Sequence, residues 1–258
     1  MQGKYPLFEE NRILKKEALI AMRDYSYDQM RLTWQDYSSG ILTGCSIRVE
    51  GAELVISPGI IKYDGKILLL SEPERIPYKA TDCTQYLKAR MELCDPSPEF
   101  ITWRITFGLE LSGECRENEI EFCRFHLRQG AALRGQYKDL FDLETEYDTV
   151  NLLDAAWGGK GGKALSPSVT RFFAEEILQA PGKKAEDTAF AYTCLNQSDA
   201  VAPAILKHYV NDREAGSGRR KETNKDIYRG MCTILRMAQS GKIRVDAPGK
   251  ERRKILID

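Results

Sequence analysis

The sequence has little histidine, no net charge and no long apolar run. Only two of its 258 residues are histidine, so imidazole-based acid–base or nucleophilic catalysis has few candidates. Lysine plus arginine and aspartate plus glutamate each total 38, a balance that argues against a surface built wholly for nucleic acid or an anionic membrane. No apolar run reaches the roughly 18 residues of a membrane-spanning helix. The first residues carry no apolar core of a secretory signal, so we expect a cytoplasmic protein without a membrane span.

The sequence also lacks the spacings of a disulfide framework, a metal site or a phosphate-binding loop. Its seven cysteines form an odd, scattered set, which predicts reduced and mostly buried thiols. Cys123 and His126 would face opposite sides of an alternating strand, so we expect no shared metal ion. The glycine-rich run 158–164 has Trp157 and Ala164 where a phosphate-binding loop needs glycine and a hydroxyl residue. We therefore expect no cofactor and no enzymatic activity.

What is present is the composition of an ordinary globular protein, with 42% apolar and 29% charged residues. The first segment, 1–40, predicts an extended arm and two helices. Asn11 can cap the first helix, which would end near Arg23, and Ser26 can cap a second that stops at Ser39 and Gly40. The second helix carries an aromatic stripe of Tyr27, Met30, Trp34 and Tyr37.

The segment 41–150 predicts antiparallel β structure. Between residues 40 and 70, apolar runs alternate with turn residues, namely Gly51, Pro58-Gly59 and Asp64-Gly65. The clearest strand is Ile101–Leu111, where six apolar residues alternate with polar ones and predict one buried face. We expect its antiparallel partner in Ile120–Leu127 and a short helix near Tyr86–Leu93.

The segment 151–258 predicts a small helical bundle. The stretch 136–154, with six acidic residues and one lysine, reads as the join between the halves, and 158–168 as a glycine-rich linker or surface loop. Ser166 and Pro167 open a first helix, followed by helices over 186–195, 199–210 and 224–239. The predicted fold class is α+β: amino-terminal helices, an antiparallel β-sandwich or open barrel, and a carboxy-terminal bundle.

The aromatic stripe of the second predicted helix needs an apolar cover. Amphipathic helices usually bury such a stripe against their own domain, here the β region. The alternative is that the arm and the helices pack against another subunit. The sequence leaves both readings open, because two heptad-like steps are too few to define a coiled coil.

A second functional class is suggested by the charge of the last quarter. From residue 204 to 258 there are fourteen Lys and Arg against seven Asp and Glu. A basic helical half could contact a phosphate backbone, and an acidic surface would explain the same charges. The candidate nucleic-acid-binding residues are Arg219, Arg220, Lys221, Arg252, Arg253 and Lys254.

The amino-terminal quarter resembles the opening region of prophage tail and baseplate-associated proteins. The resemblance lies in a helical segment that leads into a glycine-framed strand, a Pro-Gly turn and an Asp-Gly-Lys hairpin. The motifs that carry it, within residues 5–72, are Leu7-Phe8, Asn11-Arg12-Ile13-Leu14, Trp34-Gln35-Asp36-Tyr37, Gly40-Ile41-Leu42-Thr43-Gly44-Cys45, Ile56-Ser57-Pro58-Gly59-Ile60-Ile61 and Asp64-Gly65-Lys66.

This resemblance implies a non-enzymatic structural component, assembled in the cytoplasm into a tail or injection particle. Its partners would be other tail or baseplate proteins in an oligomeric assembly. The implied docking residues are Leu7, Phe8, Tyr27, Met30, Trp34 and Tyr37. The alternative is an accessory protein that binds nucleic acid through the basic half. A third reading, a carbohydrate-binding β module, would use Trp103 or Tyr63.

Overall fold

The computed structural model describes residues 6–8, 10, 13–95, 97–214 and 223–241. The chain begins with one helix, continues through nine strands, and then adds a 3-10 helix, a short hairpin and four further helices. The helices are α1 (Lys16–Thr33), α2 (Pro167–Gln179), α3 (Ala185–Asn196), α4 (Pro203–Arg213) and α5 (Asn224–Gln239). The strands are β1 (Gly40–Gly44), β2 (Ile47–Glu50), β3 (Glu53–Ile56), β4 (Gly59–Tyr63), β5 (Lys66–Leu70), β6 (Glu74–Pro77), β7 (Thr84–Leu93), β8 (Trp103–Glu110), β9 (Glu119–His126), β10 (Trp157–Gly159) and β11 (Gly162–Ala164).

The strands form three open sheets around one apolar core. The sheet orders are β11-β10-β1-β4-β5, β2-β3-β6 and β8-β7-β9, and every pairing is antiparallel except that of β1 with β10. Ile41, Leu54, Leu87 and Phe122, from four strands of these sheets, meet in the shared core. This arrangement confirms the predicted α+β class.

The turn residues of the first third do what the sequence predicts. The β2–β3 hairpin turns at Gly51, whose φ is 61°, and the β4–β5 hairpin turns at Asp64 and Gly65, with φ of 46° and 69°. A positive φ is accessible to glycine and tolerated by aspartate, which is why these residues mark the hairpin tips.

The three-stranded sheet of β7, β8 and β9 corrects two predictions. The segment 84–93, in which a helix was expected near Tyr86–Leu93, is strand β7. It lies between β8 and β9 and pairs with both, so these two strands are not each other's partners. The expected alternation is confirmed for four of its six apolar residues, because Trp103, Ile105, Phe107 and Leu109 pack against the core. The other two, Ile101 and Leu111, lie outside β8 and are exposed.

The glycine-rich run is a β-hairpin rather than a linker. Trp157, Gly158 and Gly159 are all buried, and Trp157 pairs in register with Ile41 of β1. Glycine is required at 158, since a Cβ there would lie 2.4 Å from the carbonyl oxygen of Ser38. The hairpin therefore adds two strands to the largest sheet.

The helical half matches the sequence prediction except in α4, which spans Pro203–Arg213 and not the expected 199–210. Ser166 caps α2 through its side chain, which accepts a hydrogen bond from the backbone of Ser168, and Pro167 opens the helix. α5 spans Asn224–Gln239 as expected. The helices enclose a second core in which Phe173, Phe190 and Tyr209 pack edge-on or stacked.

The amino-terminal region has one continuous helix where two were expected. Ser26, the expected cap of a second helix, lies inside α1 and donates a hydrogen bond from Oγ to the carbonyl of Met22, 3.1 Å away. The other expected cap, Asn11, lies outside the described residues. Within the described ranges, none of the helices has the length and apolar character needed to cross a bilayer.

Candidate docking surface

Helix α1 differs from the other four helices because it buries none of its eighteen residues. Each of the others places several side chains in the helical core. The main contact of α1 with another element is with β5, an edge strand of the largest sheet. Of the two readings that the sequence leaves open, packing of the stripe on its own chain applies to Met30, Trp34 and Tyr37, whereas Tyr27 remains exposed.

The exposed apolar side chains of α1 lie along two opposite faces of the helix. Leu19, Met22, Tyr25 and Leu32 follow one face, and Ile20 and Tyr27 follow the other, as helical periodicity dictates. The exposure is large, 59% for Tyr25 and 72% for Tyr27. Single exposed apolar residues are common on protein surfaces, but six on one helix indicate a contact surface.

The arm that precedes α1 adds further apolar residues. Leu7, Phe8 and Ile13 are exposed by 70%, 62% and 88%. Sequence reasoning identified Leu7 and Phe8 as anchors. It missed Leu19, Ile20, Met22 and Leu32, because it followed a single stripe and not both faces of a longer helix.

Met30 and Trp34 lie at the carboxy-terminal end of α1, where the helix meets the rest of the protein. Both are half-buried. The Trp34 ring contacts that of Tyr37 edge-on, with centroids 4.8 Å apart. These two residues can contribute to docking only at the edge of a surface whose centre lies nearer the amino-terminal end of α1.

Tyr37 is not accessible, which removes it from the docking surface that the resemblance implied. It is only 7% exposed. Its hydroxyl donates a hydrogen bond to Asp199, and Lys160 lies over its ring, 5.5 Å from the centroid. Burial, reinforced by the Asp199 carboxylate, raises the pKa of Tyr37 well above its ordinary value. Tyr37 instead joins the helix base to the helical half.

Lys62 of β4 holds the end of α1, and sequence reasoning missed it. Its ammonium donates hydrogen bonds to the carbonyl oxygens of Trp34, Gln35 and Tyr37 at 2.7, 3.0 and 2.6 Å. The last carbonyls of a helix lack partners within the helix, and they carry the negative end of its dipole. The only sequence signal was a lysine within an otherwise apolar strand, IIKY.

The other two interpretations of the sequence, nucleic-acid binding and carbohydrate binding, involve residues outside α1. All six candidate nucleic-acid-binding residues, Arg219, Arg220, Lys221, Arg252, Arg253 and Lys254, lie outside the described residues, so that reading stays a prediction. Trp103 and Tyr63, the candidates for carbohydrate contact, pack edge to face against each other, with ring centroids 5.9 Å apart. Both side chains also pack against the β core.

In the described parts of the chain, arginines form ion pairs with acidic residues of the segment 136–154. Asp142 pairs with Arg134, Asp148 with Arg128, Asp154 with Arg124 and Glu144 with Arg229. These pairs link the join to neighbouring elements. Much of the acidic charge that could attract the basic clusters is thus already compensated.

Several further ionisable side chains are engaged in ion pairs. On the outer face of the β8-β7-β9 sheet, Lys88 contacts Glu110 at 3.0 Å and Arg90 contacts Glu119 at 2.6 Å. Cys123 lies fully in the core, where burial raises its pKa, while His126 is half-buried beside Tyr147. Among the described residues, no three His, Cys, Asp or Glu side chains gather in a way that could hold a metal ion.

The cysteines follow the sequence prediction in most positions. All seven are free; Cys45, Cys123, Cys194 and Cys232 are buried, whereas Cys83 and Cys115 are exposed. Burial raises the pKa of Cys45 to about 12 and is the main reason that the pKa of Cys232 rises to about 11. The buried thiols therefore remain protonated at neutral pH.

Comparison with known proteins yields structural likenesses only. No protein-family model matches the sequence, and no curated protein does. The chain is similar to the crystal structure of TssK, with a TM-score of 0.41 and 10% identity over 93% of this chain and 72% of that one. It is similar at a TM-score of 0.41 and 7% identity to a chain of the TssK-TssF-TssG baseplate subcomplex of the type VI secretion system, over 93% of this chain and 100% of that one.

A third similar structure belongs to the baseplate complex from the type VI secretion system. Its TM-score is 0.33, at 8% identity over 91% of this chain and 100% of that one. With TM-scores this low the likeness is coarse, and the function proposed below rests on the residues of this chain.

Proposed function

We propose that the chain is a non-enzymatic structural component of a prophage-derived tail or baseplate-like assembly, and that α1 and the preceding arm dock it onto neighbouring proteins. One observation carries this proposal: an eighteen-residue helix that buries nothing and exposes large apolar side chains on two faces. Covering one such side chain is worth about 1.5–3 kcal/mol, so an assembly that covers several gains a large driving force.

The partners would be other tail or baseplate proteins, and the chain would become part of the particle after assembly in the cytoplasm. Repeated copies around a symmetric hub would add their contacts, so that each copy needs only moderate affinity. The three open sheets form the rigid body behind the helix. The ionisable groups on their outer face support this structural role, since they pair with one another across strands.

Co-expression with the proteins encoded by the neighbouring genes tests the proposal. We expect the wild-type chain to co-elute with one of these proteins in size-exclusion chromatography with light scattering. Tyr27→Glu combined with Leu32→Glu, one change on each face of α1, should abolish co-elution, because a partner would have to bury two carboxylates.

The matched control is Asp24→Lys, which changes two units of charge at an exposed position between the apolar faces. It should co-elute like the wild type. Circular dichroism should show equal helix content in all three proteins. Co-elution of the Tyr27→Glu, Leu32→Glu variant at wild-type levels would refute docking through α1.

A further inference from the structure

The base of α1 is a junction of three parts of the molecule. Residues 36–38, just beyond the helix, are hydrogen-bonded to the β10–β11 hairpin. The amide of Ser38 donates to the carbonyl of Gly159 at 3.0 Å, and the amide of Gly161 donates to the carbonyl of Asp36 at 3.1 Å. The Tyr37 hydroxyl adds the bond to Asp199 in the helical half. These contacts hold the segment after the helix.

The contact made by Lys62 also reaches the cap of α1. Trp34 is the residue that caps α1, and its carbonyl receives the ammonium at 2.7 Å. The other two bonds go to Gln35 and Tyr37, in the segment just beyond the helix. An ammonium has three donors, and all three are used here on carbonyls that face one point. One bond thus holds the cap of α1, and the other two hold the segment that follows it.

The contacts of α1 along its length are weak by comparison. The helix buries no residue, and its main contact with another element is with the edge strand β5. Apolar contact of this kind is not directional. A helix with so little buried surface keeps a defined direction only if its end is held rigidly.

We infer that Lys62 is the positioning residue of α1: its ammonium sets the direction in which the helix leaves the body and presents its apolar faces. The importance of this direction rests on the proposed docking function. A helix that is already aligned loses less conformational freedom on binding, which raises affinity without adding a contact. Lys62 would thus determine affinity while contacting no partner.

Distance measurement by double electron–electron resonance tests the inference on the isolated full chain. The exposed or half-exposed Cys83, Cys94 and Cys115 are first replaced by serine, and spin labels are placed at the exposed positions Lys16 and Glu74, on α1 and β6. With Lys62 in place we expect one narrow distance distribution. Lys62→Met keeps the aliphatic stem and removes the donors, and it should broaden the distribution roughly twofold or more.

The control is Lys66→Met, which removes an exposed lysine beside the turn of the same hairpin and should leave the width unchanged. If Lys62→Met fails to fold by circular dichroism, Lys62→Gln is measured instead, because its shorter amide cannot reach three carbonyls. A distribution as narrow as that of the wild type in the folded variant would overturn the inference. Since no partner is present, this result is separate from the co-elution result that decides whether α1 docks.

Discussion

At the residue scale, the buried carboxylate of Asp187 organises the helical half. It is fully buried and accepts hydrogen bonds from the Tyr209 hydroxyl at 2.8 Å and from Nε and Nη2 of Arg213 at 2.6 and 3.0 Å. It also accepts from the backbone amide of Lys184 at 2.8 Å, at the start of α3. One side chain thereby links the first turn of α3 to the length of α4.

Removing this carboxylate should destabilise the protein strongly. Asp187→Ala leaves the Arg213 guanidinium buried without its partner, a change that typically costs about 3–5 kcal/mol. Asp212→Ala is the control, because Asp212 lies on α4 but is exposed and pairs only with His208. It should cost less than about 0.5 kcal/mol. Urea unfolding measures both, and equal costs would show that the Asp187 network contributes little.

A second carboxylate, Asp142, makes stability depend on pH. The hydrogen bond from Arg134 is the main cause that holds the pKa of Asp142 well below its ordinary value, with further bonds from the Lys138 amide and the Thr145 hydroxyl. Because the folded pKa is lowered, this carboxylate stabilises the fold above its unfolded pKa of about 3.9. That contribution is lost as the pH falls through the folded value.

Thermal unfolding as a function of pH checks this expectation. The midpoint of the wild type should fall as the pH drops below about 4, and Asp142→Asn should lower the midpoint at pH 7 and flatten the decrease in acid. Asp28→Asn, at an exposed ion pair on α1, should retain the wild-type profile. If the Asp142→Asn profile stays parallel to that of the wild type, Asp142 is not responsible for acid sensitivity.

At the scale of elements, the prediction from sequence succeeded where local signals agree with the tertiary environment. The boundaries of α5 and the start of α2 follow from capping residues and apolar periodicity. β8 follows from strict alternation, since its polar face is open and its apolar face packs on the core. Each of these elements has one buried side, which a sequence pattern records directly.

The prediction failed where the environment overrides local preference. β7, TQYLKARMEL, is rich in good helix formers, yet it occupies the centre of its sheet. Lys88 of β7 faces outward, yet it is buried and pairs with Glu110. No hydrophobic pattern in the sequence marks such a position. The β10–β11 hairpin was missed for a related reason, because its glycines serve close packing rather than flexibility.

Docking through the aromatic stripe stays a prediction, and the accessibility of its residues could be read from the sequence only in part. The stripe was visible in the sequence, and Tyr27 is its most exposed member. The burial of Tyr37 depends on the β10–β11 hairpin and the helical half, through Lys160 and Asp199. These elements lie far along the chain, and no local pattern connects them to Tyr37.

Two glycines in the sheets differ in the space around them, and they give a matched pair of variants. A Cβ on Gly108, in the middle of β8, would meet nothing within 4 Å, whereas one on Gly158 would lie 2.4 Å from a backbone oxygen. Gly108→Ala should therefore stabilise the protein by about 0.5–1 kcal/mol, because glycine loses more backbone freedom on folding. Gly158→Ala should lower the unfolding midpoint sharply, since β10 must move away from Ser38.

Differential scanning fluorimetry of the two variants distinguishes these outcomes. Opposite shifts would confirm that β10 is held in close contact with the segment after α1. Similar small shifts for both variants would indicate that the hairpin can relax, and that its glycines are not required for packing.

At the scale of the whole molecule, the segment 140–165 connects the two cores. Leu140, Leu143, Leu153 and Leu165 belong to the helical core, while Val150, Ala155, Trp157 and Ala164 belong to the β core. The two sets alternate along the chain. The boundary predicted at residue 150 falls inside this segment, and the division into 41–150 and 151–258 stays a prediction.

Because of this alternation we expect the two halves to unfold together. The three tryptophans, Trp34, Trp103 and Trp157, all lie in the β half or at the base of α1, so their fluorescence reports on that half. Circular dichroism at the helical band reports mainly on the helical half. The two midpoints in urea should coincide, and Phe173→Ala, a change in the helical core, should lower both equally. Two separate midpoints would show that the halves fold independently.

The uncovered state of α1 has a consequence for how a cell must produce this protein. Under the proposed docking function, a copy without its partner exposes an apolar helix that can bind other molecules, including other unpaired copies. Surplus synthesis would then lead to aggregation or degradation. The proposal therefore implies that the protein is produced together with its partner, in matched amounts.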